Sequence, residues 1–170
     1  MNLLPGDVFA TKNPQGIGKA ICLFEKFTSQ DGEAKYGHTG IIQDSTGKTL
    51  EAVWTISEQD LFAAYAGCEC LIARYKKMDD QALKNGLSSV LPFKGRKYPA
   101  QRIVLHFLGL ARWVHWFKTP VCSELTALFL ISAGADLYCR KNYWGVNPDN
   151  MVDDWSHNKD FEIVFEGELK

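Results

Sequence analysis

An α+β fold, with a small antiparallel sheet packed against helices on one side, is what this sequence predicts. Two observations carry the prediction. Short β-rich runs bounded by turn residues occupy the first half, between Asp7 and Tyr75, and a last one, Phe161 to Phe165, closes the chain. Longer stretches with helical spacing of apolar residues dominate the second half.

Taken in order, Asp7 to Thr11 reads as a short strand after the Pro5-Gly6 turn. Ile17 to Phe27 reads as a helix, because Ile17, Ala20, Ile21, Phe24 and Phe27 share one face. His38 to Gln43 and Lys48 to Trp54 are β-rich runs separated by Asp44-Ser45-Thr46-Gly47, a hairpin signal. Glu58 to Tyr65 reads as a short helix and Cys68 to Tyr75 as a strand. Asp79 to Leu91 is amphipathic, although Gly86 interrupts it. Gln101 to Phe117 is a further helix, rich in large apolar residues and broken by His106, Arg112 and His115. Cys122 to Ala133 is the clearest helix, ended by Gly134. Asn147 caps and Pro148 opens a brief helix running through Trp155.

The chain has 170 residues, the size of one domain spanning 1–170, and shows no internal repeat or linker. Its 46% hydrophobic and 23% charged residues are ordinary for a globular protein. A formal net charge of -1 provides no long-range field for nucleic acid or an anionic membrane, and Lys and Arg form no stripe. The five cysteines (22, 68, 70, 122 and 139) are odd in number and sparse, which argues for reduced thiols. No pair has the C-x-x-C spacing of a structural zinc site, and Cys68-x-Cys70 suits two residues on one strand face. The N-terminus lacks the charged head and apolar stretch of a secretory signal peptide. The expected location is therefore the cytoplasm, or an export route that reads no such peptide.

Chemistry concentrates at Pro120-Val121-Cys122-Ser123-Glu124-Leu125-Thr126. A thiol in the opening turn of a helix sits over the positive end of the dipole, which favours the nucleophilic thiolate over the free thiol, whose pKa is about 8.5. The ordinary reading of a free cysteine is a small buried hydrophobe. Position separates Cys122 from the others: Cys22 is mid-helix, Cys68 and Cys70 are on a strand, and Cys139 is in a polar loop.

His38 stands between Gly37 and Gly40, whose missing side chains leave room for another backbone or a substrate. Glu51 is the sole acid of Lys48 to Trp54. Ordinarily the first would be a hydrogen-bonded strand residue and the second would face solvent. With Gln43 to Thr46 as a four-residue loop, His38 falls opposite Glu51 on one face; a three-residue loop separates them unless a bulge restores the phase. The sequence leaves that register open. His106 and His115 read as packing residues and His157 as part of a polar loop. A zinc site built from His38, Glu51 and Cys122 is chemically conceivable, since all three residue types ligate zinc.

These segments resemble the permuted papain-like amidases of the YiiX type, related to the NlpC-type cell-wall peptidases and to lecithin:retinol acyltransferase-like enzymes. The resemblance rests on Gly6-Asp7-Val8, His38-Thr39-Gly40-Ile41, Glu51-Ala52 and Cys122-Ser123-Glu124-Leu125 in that order, with Pro148-Asp149 near the end. It implies a circularly permuted papain-like (NlpC-type) fold over nearly the whole chain. It also implies a Cys-His-Glu site, with Cys122 as nucleophile, His38 as base and later acid, and Glu51 orienting the imidazole. Relatives often carry a Gly-x-x-Tyr-Asp step where this chain has Gly95-Arg96-Lys97-Tyr98-Pro99.

The resulting expectation is a cysteine hydrolase that cleaves an amide, peptide or isopeptide-like, through an acyl-thioester, with no metal or organic cofactor. The backbone N–H of Cys122 is the natural oxyanion donor; Tyr36 and Gln15 are candidates for a second. The expected partner is a peptide, amide or acyl substrate, bacterial or phage cell-wall peptide among them; the oligomeric state is left open. Two alternatives stand beside this reading. One is an acyltransferase or lipid or ester hydrolase, with Phe107 to Phe117 facing lipid, although that run is too short and interrupted to span a bilayer. The other is a non-catalytic binding domain of the same shape.

Overall fold

Asp44 to Gly47 decide the first hairpin. Asp44 Oδ1 accepts from the Thr46 N–H at 2.8 Å and from its hydroxyl at 2.6 Å, and Gly47 takes φ 93°, a conformation that glycine adopts freely. The Gln43 N–H then donates to Lys48 O at 2.7 Å and closes the loop between β2 (His38–Ile42) and β3 (Lys48–Ala52).

The computed structural model of the protein describes residues 1–12, 35–97, 119–137 and 143–170. Among them, four further strands complete a six-stranded antiparallel sheet: β1 (Val8–Thr11), β4 (Ile56–Asp60), β5 (Glu69–Tyr75) and β6 (Phe161–Glu168), in the order β4-β3-β2-β1-β5-β6. The helices are α1 (Leu61–Tyr65), α2 (Asp80–Val90), α3 (Cys122–Ser132) and α4 (Pro148–His157), with a short 3-10 turn at Leu91–Phe93. The fold is α+β, as the sequence predicts. The expected helices at 17–27 and 101–117 lie outside the described residues.

Local capping chemistry explains most boundaries. Asp79 Oδ1 accepts from the Ala82 N–H at 2.8 Å at the start of α2, and Asn147 Oδ1 accepts from the Asn150 N–H at 2.7 Å at the start of α4. Gly134, at φ 93°, ends α3. The helix expected at 58–65 is overturned in part. Glu58 to Tyr65 is not a helix: Ile56 to Asp60 pairs with β3, and only Leu61 to Tyr65 is helical. Asp60 makes the switch, because its carboxylate accepts from the N–H groups of Phe62 (2.9 Å) and Ala63 (3.0 Å) and so starts α1 one residue after the strand ends.

The sheet is also covered on both faces, not on one. Val8, Ala10, Ile41, Leu50, Leu71 and Ala73 pack into a core with α3 and α4, while Phe9, Ile42, Cys70 and Ile72 pack on the other face with Leu61 and Tyr65 of α1. Consecutive buried residues on β1 leave neither face to solvent. The Gly6-Asp7 opening serves this scaffold. Asp7 is buried, accepts from the Leu4 N–H at 2.8 Å and takes a bidentate ion pair from Arg74 of β5, both bonds at 2.8 Å. Among the described residues no helix is long and apolar enough to cross a membrane.

Gly86 interrupts the helical pattern of α2 because α3 presses against it. A Cβ there would lie 2.6 Å from Phe129 Cε2 and 3.0 Å from the Phe129 carbonyl oxygen. Alanine's better helix propensity, about 1 kcal/mol, is outweighed by an overpacking cost of about 1–3 kcal/mol. Gly86→Ala should therefore lower the midpoint of urea unfolding; a raised midpoint would show that α2 and α3 are not in this contact.

Candidate active site

The first residue of β2 and the first residue of α3 meet. His38 opens the strand, Cys122 opens the helix, and each side chain acts on the ionisation of the other. His38 Nε2 lies 2.9 Å from Glu51 Oε2, which leaves Nδ1 as the ring nitrogen not engaged by the carboxylate. The sequence-predicted residues Cys122, His38 and Glu51 are thus brought into one connected group, and all three are buried.

The register that connects them differs from the expected one. The loop is Asp44 to Gly47, one residue later than Gln43 to Thr46, so Glu51 pairs with Gly40 and not with His38. Moving the loop by one residue shifts the pairing by two, and side chains alternate with period two, so His38 and Glu51 still share a face as diagonal neighbours. Gly40 makes the diagonal passable. A Cβ on it would sit 2.8 Å from Glu51 Cγ and 2.5 Å from Phe9 Cε1. Its missing side chain makes room for the Glu51 stem and the Phe9 ring, where the sequence suggested a backbone or a substrate.

Glu51 is 0% exposed, contrary to the ordinary expectation for a strand carboxylate. A bare carboxylate in that position would be strongly disfavoured, so its partners decide its charge. It accepts from the Tyr65 hydroxyl at 2.5 Å through Oε2 and from the Thr49 hydroxyl through Oε1. Burial pushes its pKa up, but His38, Thr49 and Tyr65 together draw it below the ordinary 4.5. For His38, burial works against the charged form; hydrogen bonds and charge from Cys122 and Glu51 outweigh it and raise the imidazole from 6.5 to about 10. Phe9 and Tyr65 wall the ring, at centroid distances of 6.2 and 5.9 Å.

Burial likewise pushes the Cys122 thiol up, yet the His38 hydrogen bond and charge, with main-chain N–H groups of Thr39 and Ser123, bring it below 9.0. Cys68 and Cys70 move the other way: burial raises both, Cys70 to about 12. Among the described cysteines, Cys122 alone is shifted toward thiolate. A lowered thiol and a raised imidazole shift the pair toward thiolate and imidazolium.

Side chains around α3 hold its first turn in place. Glu124, buried, accepts from the Val121 N–H at 3.1 Å and from the Gly145 N–H at 2.8 Å, and the Ser123 hydroxyl donates to Val146 O at 2.6 Å. The Thr126 hydroxyl donates to Cys122 O at 3.1 Å, so at its 3.1 Å contact with Thr39 the Thr39 hydroxyl is the donor. Asp149 of α4 accepts from the N–H groups of Lys35 and Tyr36, both at 3.2 Å, and so anchors the approach to β2. The Tyr36 hydroxyl has Lys35, Glu166 and Glu69 as its electrostatic neighbours. Its candidacy as a second oxyanion donor gains no support from them. Gln15, Cys22, His106, His115 and Cys139 lie outside the described residues. His157 is the last residue of α4, not a loop residue, and its Nδ1 lies 2.8 Å from Asp153 O.

Sequence reasoning missed Thr49 and Tyr65. Period-two alternation places Thr49 beside Glu51 on one face and was a usable signal. Nothing local marks Tyr65, which reaches Glu51 from α1 across 14 residues.

No family model matches the chain, and no curated protein matches it in sequence. Among solved structures it is similar to the metalloprotein yiiX from Escherichia coli O157:H7, with a TM-score of 0.59 and 12% identity over 99% of each chain. At that identity the likeness concerns the fold, which is yiiX-like along the full length.

Two outcomes are expected. Gly40→Ala should destabilise the protein by about 1–3 kcal/mol in denaturant titrations, the range for overpacking, and a wild-type midpoint would contradict the Glu51–Gly40–Phe9 contact. In iodoacetamide labelling read by mass spectrometry, Cys122 should react as thiolate below pH 9.0 and lose reactivity only as acid protonates it, because its pKa is lowered. Deprotonation of His38 near pH 10 should break the ion pair from the alkaline side. A labelling curve for Cys122 rising only at or above pH 9 would disprove the pairing.

Proposed function

We propose that this protein is a cysteine hydrolase that cleaves an amide bond through an acyl-thioester on Cys122. The observation that carries the reading is the buried His38–Glu51 contact at 2.9 Å, with the Cys122 thiol drawn down by the same imidazole. In this mechanism the Cys122 thiolate attacks the carbonyl carbon and a C–S bond forms. First-turn amides have no intrahelical acceptor, so the Cys122 N–H is placed to receive the developing oxyanion. The His38 imidazolium gives its proton to the leaving nitrogen as the C–N bond breaks. Neutral His38 then takes a proton from water, whose oxygen attacks the thioester. The C–S bond breaks, the acid departs, and the thiolate–imidazolium pair returns.

Glu51 holds the imidazole by Nε2 and stabilises its positive charge, as the orienting acid of a Cys-His-Glu group does. Such a group on a permuted papain-like scaffold is consistent with the α+β sheet and with the order in which the three residues occur. The full-length fold likeness supports treating 1–170 as one domain. A peptide, isopeptide or related acyl compound is the substrate class.

The similar structure is called a metalloprotein, which makes metal binding the competing role for the same residues. Their donors do not fit one here. His38 Nε2 and both Glu51 oxygens are engaged with one another, Thr49 and Tyr65, and among the described residues no group of three His, Cys, Asp or Glu is arranged to hold an ion. No step above passes through a metal.

The test is an electrophilic acyl-amide probe followed by mass spectrometry of the adduct. Cys122 should carry the acyl group, and Cys122→Ala should abolish both adduct and turnover. His38→Ala should lower the rate almost as far, and Glu51→Gln by less, because orientation contributes less than the nucleophile or the base. Normal turnover by Cys122→Ala would overturn the assignment.

A further inference from the structure

A carboxylate buried as deeply as Glu51 keeps its charge only through the donors that face it. Those donors and the other groups around it come from several elements. His38 stands on β2, Thr49 on β3 itself, Tyr65 on α1 and Ser57 opposite on β4; the Cys70 thiol of β5 lies within electrostatic reach of Glu51, and the Cys122 thiol of α3 within that of Tyr65. Two of them converge on one oxygen: Oε2 receives His38 Nε2 at 2.9 Å and the Tyr65 hydroxyl at 2.5 Å. The Tyr65 ring is itself fixed, 4% exposed and packed 5.6 Å from Phe9 and 5.9 Å from the His38 ring.

From this geometry we infer that Tyr65 is a positioning residue for the Cys122–His38 pair, acting through Glu51 by fixing the plane of its carboxylate and keeping it ionised. The inference rests on the hydrolase reading and extends it. The Tyr65 hydroxyl donates to Glu51 Oε2, and its phenol also feels the charge of Cys122; the role inferred here passes along the shared oxygen. Burial and the neighbouring carboxylate hold the phenol protonated, since both raise its pKa, so it remains a donor throughout the working range. Without the phenol hydroxyl, Oε2 keeps one donor fewer in a site closed to water. Glu51 then takes up a proton more readily, the imidazolium loses its counter-charge, and the thiolate loses its partner.

The experiment compares the pH dependence of Cys122 alkylation, and of turnover, in the wild type, Tyr65→Phe, Glu51→Gln and the double variant. Phenylalanine keeps the ring that packs on Phe9 and His38 and removes only the donor. The acid limb of Tyr65→Phe should move to higher pH, with labelling slowed about ten-fold near its foot, the scale of one lost hydrogen bond to a charged group. On the alkaline plateau the rate should change little. In the Glu51→Gln background the same substitution should shift nothing further, because the carboxylate it acts through is gone. Site-specific 3-fluorotyrosine at 65, a stronger donor of nearly the same shape, should move the limb to lower pH and serves as the readout where Tyr65→Phe fails to fold. An unmoved limb in Tyr65→Phe or in the fluorinated protein, or a shift that persists in Glu51→Gln, overturns the role of Tyr65 while leaving Cys122 as nucleophile. A wild type in which Cys122 labels no faster than Cys68 and Cys70 at any pH overturns the hydrolase reading and this inference together.

Discussion

A negative charge with no access to water is the constraint around which this protein is arranged. Glu51 sits on a central part of the sheet at 0% exposure, and only donated hydrogen bonds and an adjacent cation can keep it ionised there. Each element that meets it has a matching feature. β2 brings the imidazole, α1 brings the Tyr65 hydroxyl, and β3 brings Thr49 two residues away. Gly40 is bare because the Glu51 stem crosses its position. Remove the carboxylate and none of these choices has an electrostatic reason.

From that anchor the charge pattern extends outward to the sulfur. The ionised carboxylate favours imidazolium on His38, and imidazolium favours thiolate on Cys122, against the burial that acts on all three. The path requires the sheet and α3 to hold their relative position closely. A buried link from Thr39 to Thr126 to the Cys122 carbonyl spans that joint, and Glu124 and Ser123 tie the helix start to the 143–147 segment. These hydrogen bonds involve neither the Cys122 thiol nor the His38 ring, yet they set where the thiol stands.

Much of the secondary structure was legible because capping is local chemistry. Asp79, Asn147, Pro148 and Gly134 announce helix ends within one turn of themselves, and the structure places those ends as expected. The failure at Glu58 to Tyr65 has the opposite cause. Ile56 to Asp60 is a strand because β3 offers an edge to pair with, and Lys48 offers Glu58 an ion pair across it. Neither partner is visible in that stretch of sequence. The face shared by His38 and Glu51 was legible only as a condition on loop length, and a loop placed one residue along met the condition through a diagonal contact.

The sequence by itself determined the residue types needed for thiol chemistry, the helix start that holds Cys122 and the turn that makes the β2–β3 hairpin. Each of these depends on groups a few bonds or one turn apart, so neighbours along the chain suffice to specify it. Only the tertiary structure decided that Glu51 is buried and charged, that Gly40 clears its path, and that Tyr65 supports it from α1. Those properties are sums over surroundings drawn from β1, β2, β3, α1 and α3, and desolvation and hydrogen bonding act through space, whatever the separation along the polypeptide.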